Sequence, residues 1–161
     1  MNIAIVYYSY SGNTHKAAGV LEEILKERGN SVRRLRLEAS GESRNFFVQV
    51  VRSLFRRKAE TAPIERDFSG YDLVIFATPV WAREMVPAMR EFLGKIEGLS
   101  GKKAITFVTY GSGFGKEHCL DSLESVLQQK GAACLGRFSI SQDKVGDKAL
   151  IEDSLNKIMR L

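Results

Sequence analysis

The feature that most constrains this chain is its rhythm. Short apolar runs of strand length alternate with longer stretches whose apolar residues recur at helical spacing. Residues 3–8 open the pattern with a run that is continuously apolar, as a strand covered on both faces requires. Asn13 or Thr14 then caps a helix with the stripe Ala17, Ala18, Leu21, Ile24 and Leu25, and Gly29-Asn30 stops it. Residues 31–37 read as a strand, and its Arg33, Arg34 and Arg36 suit a sheet edge. Further strands are predicted over 72–78, 104–109 and 132–140, and further helices over 44–58, from Pro87 onward, over 116–130 and over 146–159. Five strands, each followed by a helix, predict a three-layer α/β/α sandwich around a five-stranded parallel sheet, one domain spanning residues 1–161.

Composition agrees with one ordinary globular core: 161 residues, 44% hydrophobic and 27% charged. No apolar stretch is long enough to span a bilayer. The chain enters its first strand without a basic leader, and Cys119 and Cys134 make neither a disulfide framework nor a metal-ligand spacing. A cytoplasmic protein is the expectation, with no metal and no stable membrane insertion. The net charge of +5 is uneven: residues 26–58 hold ten basic and three acidic side chains, a local +7. In 44–58, Phe46, Phe47, Val50, Val51, Leu54 and Phe55 fall on one helical face, opposed by Arg52, Arg56 and Arg57. A helix packed on the sheet explains this better than a membrane-surface helix. The basic face reads first as the solvated side of a helix and an edge strand, and second as a surface for an acidic redox partner protein, with no nucleic acid expected.

In open α/β sheets, ligands bind beyond the carboxyl ends of the strands, where the strand order reverses. Three loops reach that edge: 9–14, 79–84 and 110–115. Ser9, Tyr10, Ser11, Gly12, Asn13 and Thr14 supply hydroxyls, a glycine and the free N–H groups of a helix start, with no Lys or Arg among them. That is a site for an anion held by neutral donors, suited to the phosphate of a resident cofactor. A dinucleotide fingerprint fails, since Gly12 is the only glycine in this loop, and a P-loop fails here and again at 111–117, where Lys116 is followed by Glu117. A receiver domain fails as well, because the first and third strands end without carboxylates.

The loop Ser9-Tyr10-Ser11-Gly12-Asn13-Thr14 after residues 3–8 resembles the phosphate loop of the flavodoxin family, (S/T)-x-(S/T)-G-x-T, at every fixed position. Thr78-Pro79-Val80-Trp81-Ala82 resembles the second flavin loop of that family, and Thr109-Tyr110-Gly111-Ser112-Gly113 the third. The resemblance implies the strand order 2-1-3-4-5, the short-chain form and bound FMN. It implies that Ser9, Ser11, Gly12, Asn13 and Thr14 hold the FMN phosphate, with the role of Tyr10 open. Thr78 and Pro79 would line the ribityl chain and ring edge, flanked by Val80 and Ala82. Trp81 would lie against the isoalloxazine, with Tyr110 or Phe114, beside Gly111, Ser112 and Gly113, as the opposite wall.

The resemblance leads to an FMN-binding redox protein: an electron carrier serving a redox partner, or alternatively a small NAD(P)H-dependent reductase such as a quinone reductase. Electron-carrier flavodoxins are typically acidic, whereas this chain is basic and places Arg83 beside Trp81, where a cation favours the reduced flavin. A flavin-free interaction domain docking through 44–58 is a further alternative. His15 is expected to face solvent, His118 and Cys119 to point apart, and Cys134 to be core. No residue is assigned a catalytic role.

Overall fold

The apolar opening run becomes the strand next to the sheet's centre. In the computed structural model, which describes residues 1–38 and 64–159, β1 (Asn2–Tyr8) is buried from Ile3 onward. The helix expected over 44–58 lies outside the described residues. After β1 come α1 (Asn13–Glu27), β2 (Ser31–Leu37), β3 (Leu73–Trp81), β4 (Glu84–Met85) and α2 (Pro87–Lys95). The chain then continues through β5 (Lys103–Tyr110), α3 (Lys116–Gln129), β6 (Ala133–Ser141) and α4 (Lys148–Met159).

The sheet order is β2-β1-β3-β5-β6, all parallel, with β4 antiparallel to β3 and off the main path. This is the expected five-strand order with one addition. Val6 stands between Leu35 and Phe76, and Phe76 faces Thr106 in the next ladder. Because neighbouring side chains on a strand point to opposite faces, β1 feeds two cores. Ala4, Val6 and Tyr8 pack with Met89, Phe92 and Leu93 of α2 and Leu120, Leu123 and Leu127 of α3. Ile3, Ile5 and Tyr7 pack with Ala17, Leu21 and Ile24 of α1 and Ile151, Leu155 and Ile158 of α4. Helices therefore cover both faces, which is why the central strands read as unbroken apolar runs.

One expectation needs correcting. Pro79, Val80 and Trp81 are not loop but the end of β3, and the chain turns back at Ala82-Arg83 so that Val80 pairs with Met85 and Trp81 with Glu84. Both turn residues have positive φ, 46° and 73°, the geometry of a tight hairpin turn. Neither Ala nor Arg carries a turn signal, so the hairpin was hidden in the sequence. Met85, two residues before Pro87, belongs to β4.

Candidate functional site

The chain leaves β1 toward β2 on one side and returns to β3 on the other, so a crevice opens between the carboxyl ends of β1 and β3. The first loop fills one bank of it. Gly12 is the N-cap of α1 with φ 91°, a left-handed conformation, and an added Cβ would meet nothing within 4 Å. It makes no side-chain cap, so the helix start keeps N–H groups directed at the loop. Ser9 is buried, and its Oγ accepts the backbone N–H of His15 at 3.1 Å. Ser11 is exposed and Asn13 half-buried. Thr14 is buried at 1% exposure, and its Oγ1 lies 2.7 Å from Oγ1 of Thr109 at the end of β5. The resemblance gives Thr14 to the phosphate; its hydroxyl also pairs with that of Thr109, which ties the start of α1 to the sheet.

Two residues unassigned by the sequence reading support this loop. His15 is half-buried rather than in solvent, with Nδ1 2.6 Å from the Tyr7 hydroxyl. Burial, and then the charges of Arg34 and Arg36, push its pKa below 6.5, so the ring is neutral at pH 7 and shares a hydrogen bond with the phenol whose direction is set by the ring's tautomer. Burial pushes the Tyr7 pKa up, which keeps that phenol protonated. Arg36 of β2 donates to the Ser9 carbonyl at 3.2 Å, placing a cation beside a loop that has none of its own. Its position in register with Tyr7 was the only available signal, and it requires knowing that β2 pairs with β1.

The hairpin and the third loop form the other bank. Trp81 is 42% exposed, with its ring 5.6 Å from that of Tyr10 and 6.1 Å from that of Tyr8, both edge-on. The sequence reading put Trp81 at the cofactor edge; the structure brings it together with Tyr10 of the first loop. Pro79 and Val80 are half-buried and Ala82 is exposed. Thr78 is fully buried, and its Oγ1 accepts the Val86 N–H at 3.4 Å and donates to the Pro79 carbonyl at 3.1 Å. It closes the hairpin and does not present its hydroxyl to the crevice.

In the third loop, Gly111 and Ser112 are exposed and Ser112 Oγ accepts the Phe114 N–H at 3.4 Å. Gly113 lies beside the Tyr110 ring. Phe114 is 73% exposed, with the Arg83 guanidinium 5.4 Å from its centroid, and Lys116 Nζ lies 4.7 Å from the centroid of Tyr110. Arg83 thus leans toward the third loop, while Trp81 leans toward the first. Beyond them Glu84 binds His118 Nε2 at 2.8 Å and Arg90 at 2.6 Å. Those two partners hold its carboxyl below the ordinary carboxylate value against an opposing contribution from burial. Cys119 is buried, apart from its exposed neighbour His118, and burial pushes its thiol up to about 12. It is no nucleophile. Cys134, expected in the core, is half-buried and packs against it. Among the described residues no group of His, Cys, Asp and Glu is placed to hold a metal, and no helix is long and apolar enough to cross a membrane.

The arrangement can seat an anion on neutral donors at one bank and a flat aromatic group against Trp81 at the other. FMN, a phosphate monoester joined to a planar ring system, fits that division. Solved structures share the fold. A flavodoxin from Megasphaera elsdenii is 22% identical, covering 91% of this chain and 97% of its own, with a TM-score of 0.61. An NADH:FMN oxidoreductase in its apo form is 19% identical over 99% of this chain and 86% of its own, with a TM-score of 0.67. A flavodoxin from Streptococcus pneumoniae TIGR4 is 16% identical over 98% and 99%, with a TM-score of 0.60. A family model described as NADPH-dependent FMN reductase matches residues 1–145, all three loops included. The chain is flavodoxin-like, its flavin is FMN, and it belongs to the NADPH-dependent FMN reductase family.

Proposed function

We propose that this chain is an FMN-dependent oxidoreductase that takes electrons from NAD(P)H and delivers them to a small acceptor such as a quinone. The observation that carries the reading is the first loop at the sheet's switch point, whose helix N-cap is Gly12, without a side-chain cap of its own, among neutral donors. Bound there, FMN supplies hydride and electron transfer. Ser11, Asn13 and the backbone N–H groups around Gly12 hold its phosphate, while Ser9 and Thr14 fix the loop that presents them. Trp81 flanks the ring on the hairpin side, and Tyr110 and Phe114 bound it on the other.

An electron-carrier reading is favoured by a different observation. Tyr10, Trp81 and Phe114 are exposed together at the mouth, and exposed aromatics suit docking of a redox partner protein. Titration of apoprotein with FMN and riboflavin, followed by anaerobic addition of NADPH or NADH, separates the cases. Tight FMN binding, weaker riboflavin binding and bleaching by pyridine nucleotide alone are the expected results. FMN binding without bleaching would establish the carrier, and equal affinity for FMN and riboflavin would remove the phosphate role of the first loop.

A further inference from the structure

The three arginines of β2 end in three different ways. Arg33 binds Glu65 at 2.8 Å, and Arg34 binds Glu22 of α1. Arg36 instead donates from Nη2 to the backbone carbonyl of Ser9 at 3.2 Å, reaching from β2 to the loop that follows β1. The charges of Arg33 and Arg34 are answered by carboxylates, whereas that of Arg36 is turned on a peptide of the first loop.

Register puts it there. Arg36 stands beside Tyr7, two residues before Ser9, on the strand face that it shares with Arg34. Its charge is felt around the loop. It opposes the rise that burial imposes on the Tyr7 and Tyr8 hydroxyls, and after burial and Arg34 it adds to the lowering of His15.

The other end of the same peptide looks the opposite way. No peptide bond among the described residues is cis, so the Ser9 carbonyl and the Tyr10 N–H point in opposite directions. The carbonyl faces Arg36, and β1 lies between β2 and β3. The Tyr10 N–H is therefore directed away from β2, toward the side where β3 ends and the crevice opens. The Tyr10 ring meets Trp81 on that side. A cation on the carbonyl also draws electron density from the peptide, which strengthens its N–H as a donor.

We propose that Arg36 is a positioning residue for the FMN phosphate, and that it sets this protein's preference for FMN over riboflavin. Through the Ser9 carbonyl it orients and polarises the Tyr10 N–H, and from behind the loop it adds positive charge to a set of neutral donors. The inference rests on the first loop as the seat of the phosphate, as proposed above. It makes part of the basic edge strand a component of the cofactor site.

The test titrates apoprotein with FMN and with riboflavin, which share the ring and ribityl chain and differ in the phosphate. Arg36→Met keeps an apolar stem and removes the charge. It should weaken FMN binding roughly tenfold, about the weight of one hydrogen bond to a charged group, and leave riboflavin binding unchanged. Wild-type affinity for FMN should fall with added salt more steeply than that of the variant. Arg36→Lys should recover part of the loss, since a charge and one donor return without the planar fork. Magnetic resonance titration of His15 checks the placement independently: its pKa should rise in Arg36→Met, because one of the charges that lower it has gone. Weakening of both flavins by the same factor would make Arg36 a general prop of the loop and overturn the proposal. A His15 pKa that does not move would overturn it as well. A wild-type preference for FMN that persists undiminished in Arg36→Met defeats the proposal alone. Equal binding of the two flavins by the wild type defeats the phosphate role of the first loop, and the proposal with it.

Discussion

The two banks of the crevice are prepared by different physics. Apart from Arg36 on the Ser9 carbonyl, the first loop is held by hydrogen bonds between neutral groups: Ser9 with the His15 N–H, Tyr7 with the His15 ring, Thr14 with Thr109. Its one left-handed residue is Gly12, and open space surrounds it. The hairpin bank, closed by Thr78 on the Val86 N–H, adds backbone strain and close packing. Ala82 and Arg83 occupy positive φ without being glycines, and Gly115 tolerates the approach of Arg83 only because it lacks a Cβ. Hydrogen bonds between neutral partners fix a loop at little conformational cost, which suits a cofactor that remains. Packed strain fixes a side chain's direction, which suits recognition of something transient.

The largest effect should come from setting the two glycines against each other. Gly115→Ala combines a left-handed alanine with a clash against Arg83, and should destabilise by about 2–4 kcal/mol in urea unfolding. Gly12→Ala meets no neighbour and should cost only the backbone penalty, about 1 kcal/mol. Equal losses would mean that packing does not distinguish the banks. Next in size is Thr14→Ala, which leaves the Thr109 hydroxyl buried without its partner at a cost of about 1–3 kcal/mol. The double change Thr14→Val with Thr109→Val should lose less than the two single changes summed. A strictly additive cycle would show that the hydroxyl pair does not bind the loop.

A smaller, pH-dependent effect belongs to His15. Its folded pKa is lowered beneath 6.5, so the unfolded chain takes up the proton first on acidification. The stability it contributes is complete above 6.5 and is lost as pH falls below that value toward the lowered folded pKa. Replacing His15 by Phe should flatten this slope below pH 6.5, and His118→Gln should leave it in place. A slope that survives in the His15 variant and vanishes in the other would transfer the effect to the Glu84–His118 pair. Smallest of all is Ala82→Gly, which relieves a left-handed alanine but loosens the unfolded chain. A net gain of up to about 1 kcal/mol is expected, and a loss would show that the turn is unstrained.

Much of this was legible in the letters. The unbroken run before Ser9, the stripe from Ala17 to Leu25 and the arginines of β2 give the layers and the edge strand, because burial on two faces, one face or none leaves different periodicities. The first loop was legible because its chemistry is local: a helix start and its donors are adjacent in sequence. The hairpin was not, since Ala82-Arg83 carries no turn preference and its conformation is imposed by packing against Gly115. Nor was the contact of Thr14 with Thr109 visible. Its partner is 95 residues away, and only the order of strands brings Thr109 beside it. His15 was misread for the same reason, because the charges that act on it, Arg34 and Arg36, belong to the neighbouring strand.

The chain's 1 tryptophan is Trp81, and it stands at the hairpin's end rather than in either core. Intrinsic emission from this protein is therefore a local gauge. Excited selectively, it registers the polarity of the crevice mouth and the neighbouring rings of Tyr8 and Tyr10. Denaturant that frees the hairpin while the sheet persists will shift the emission before far-ultraviolet dichroism changes, so non-coincident curves here report fraying of one bank. A flavin seated at that mouth absorbs where tryptophan emits. The same indole then becomes a built-in donor whose quenching counts occupied sites without any label.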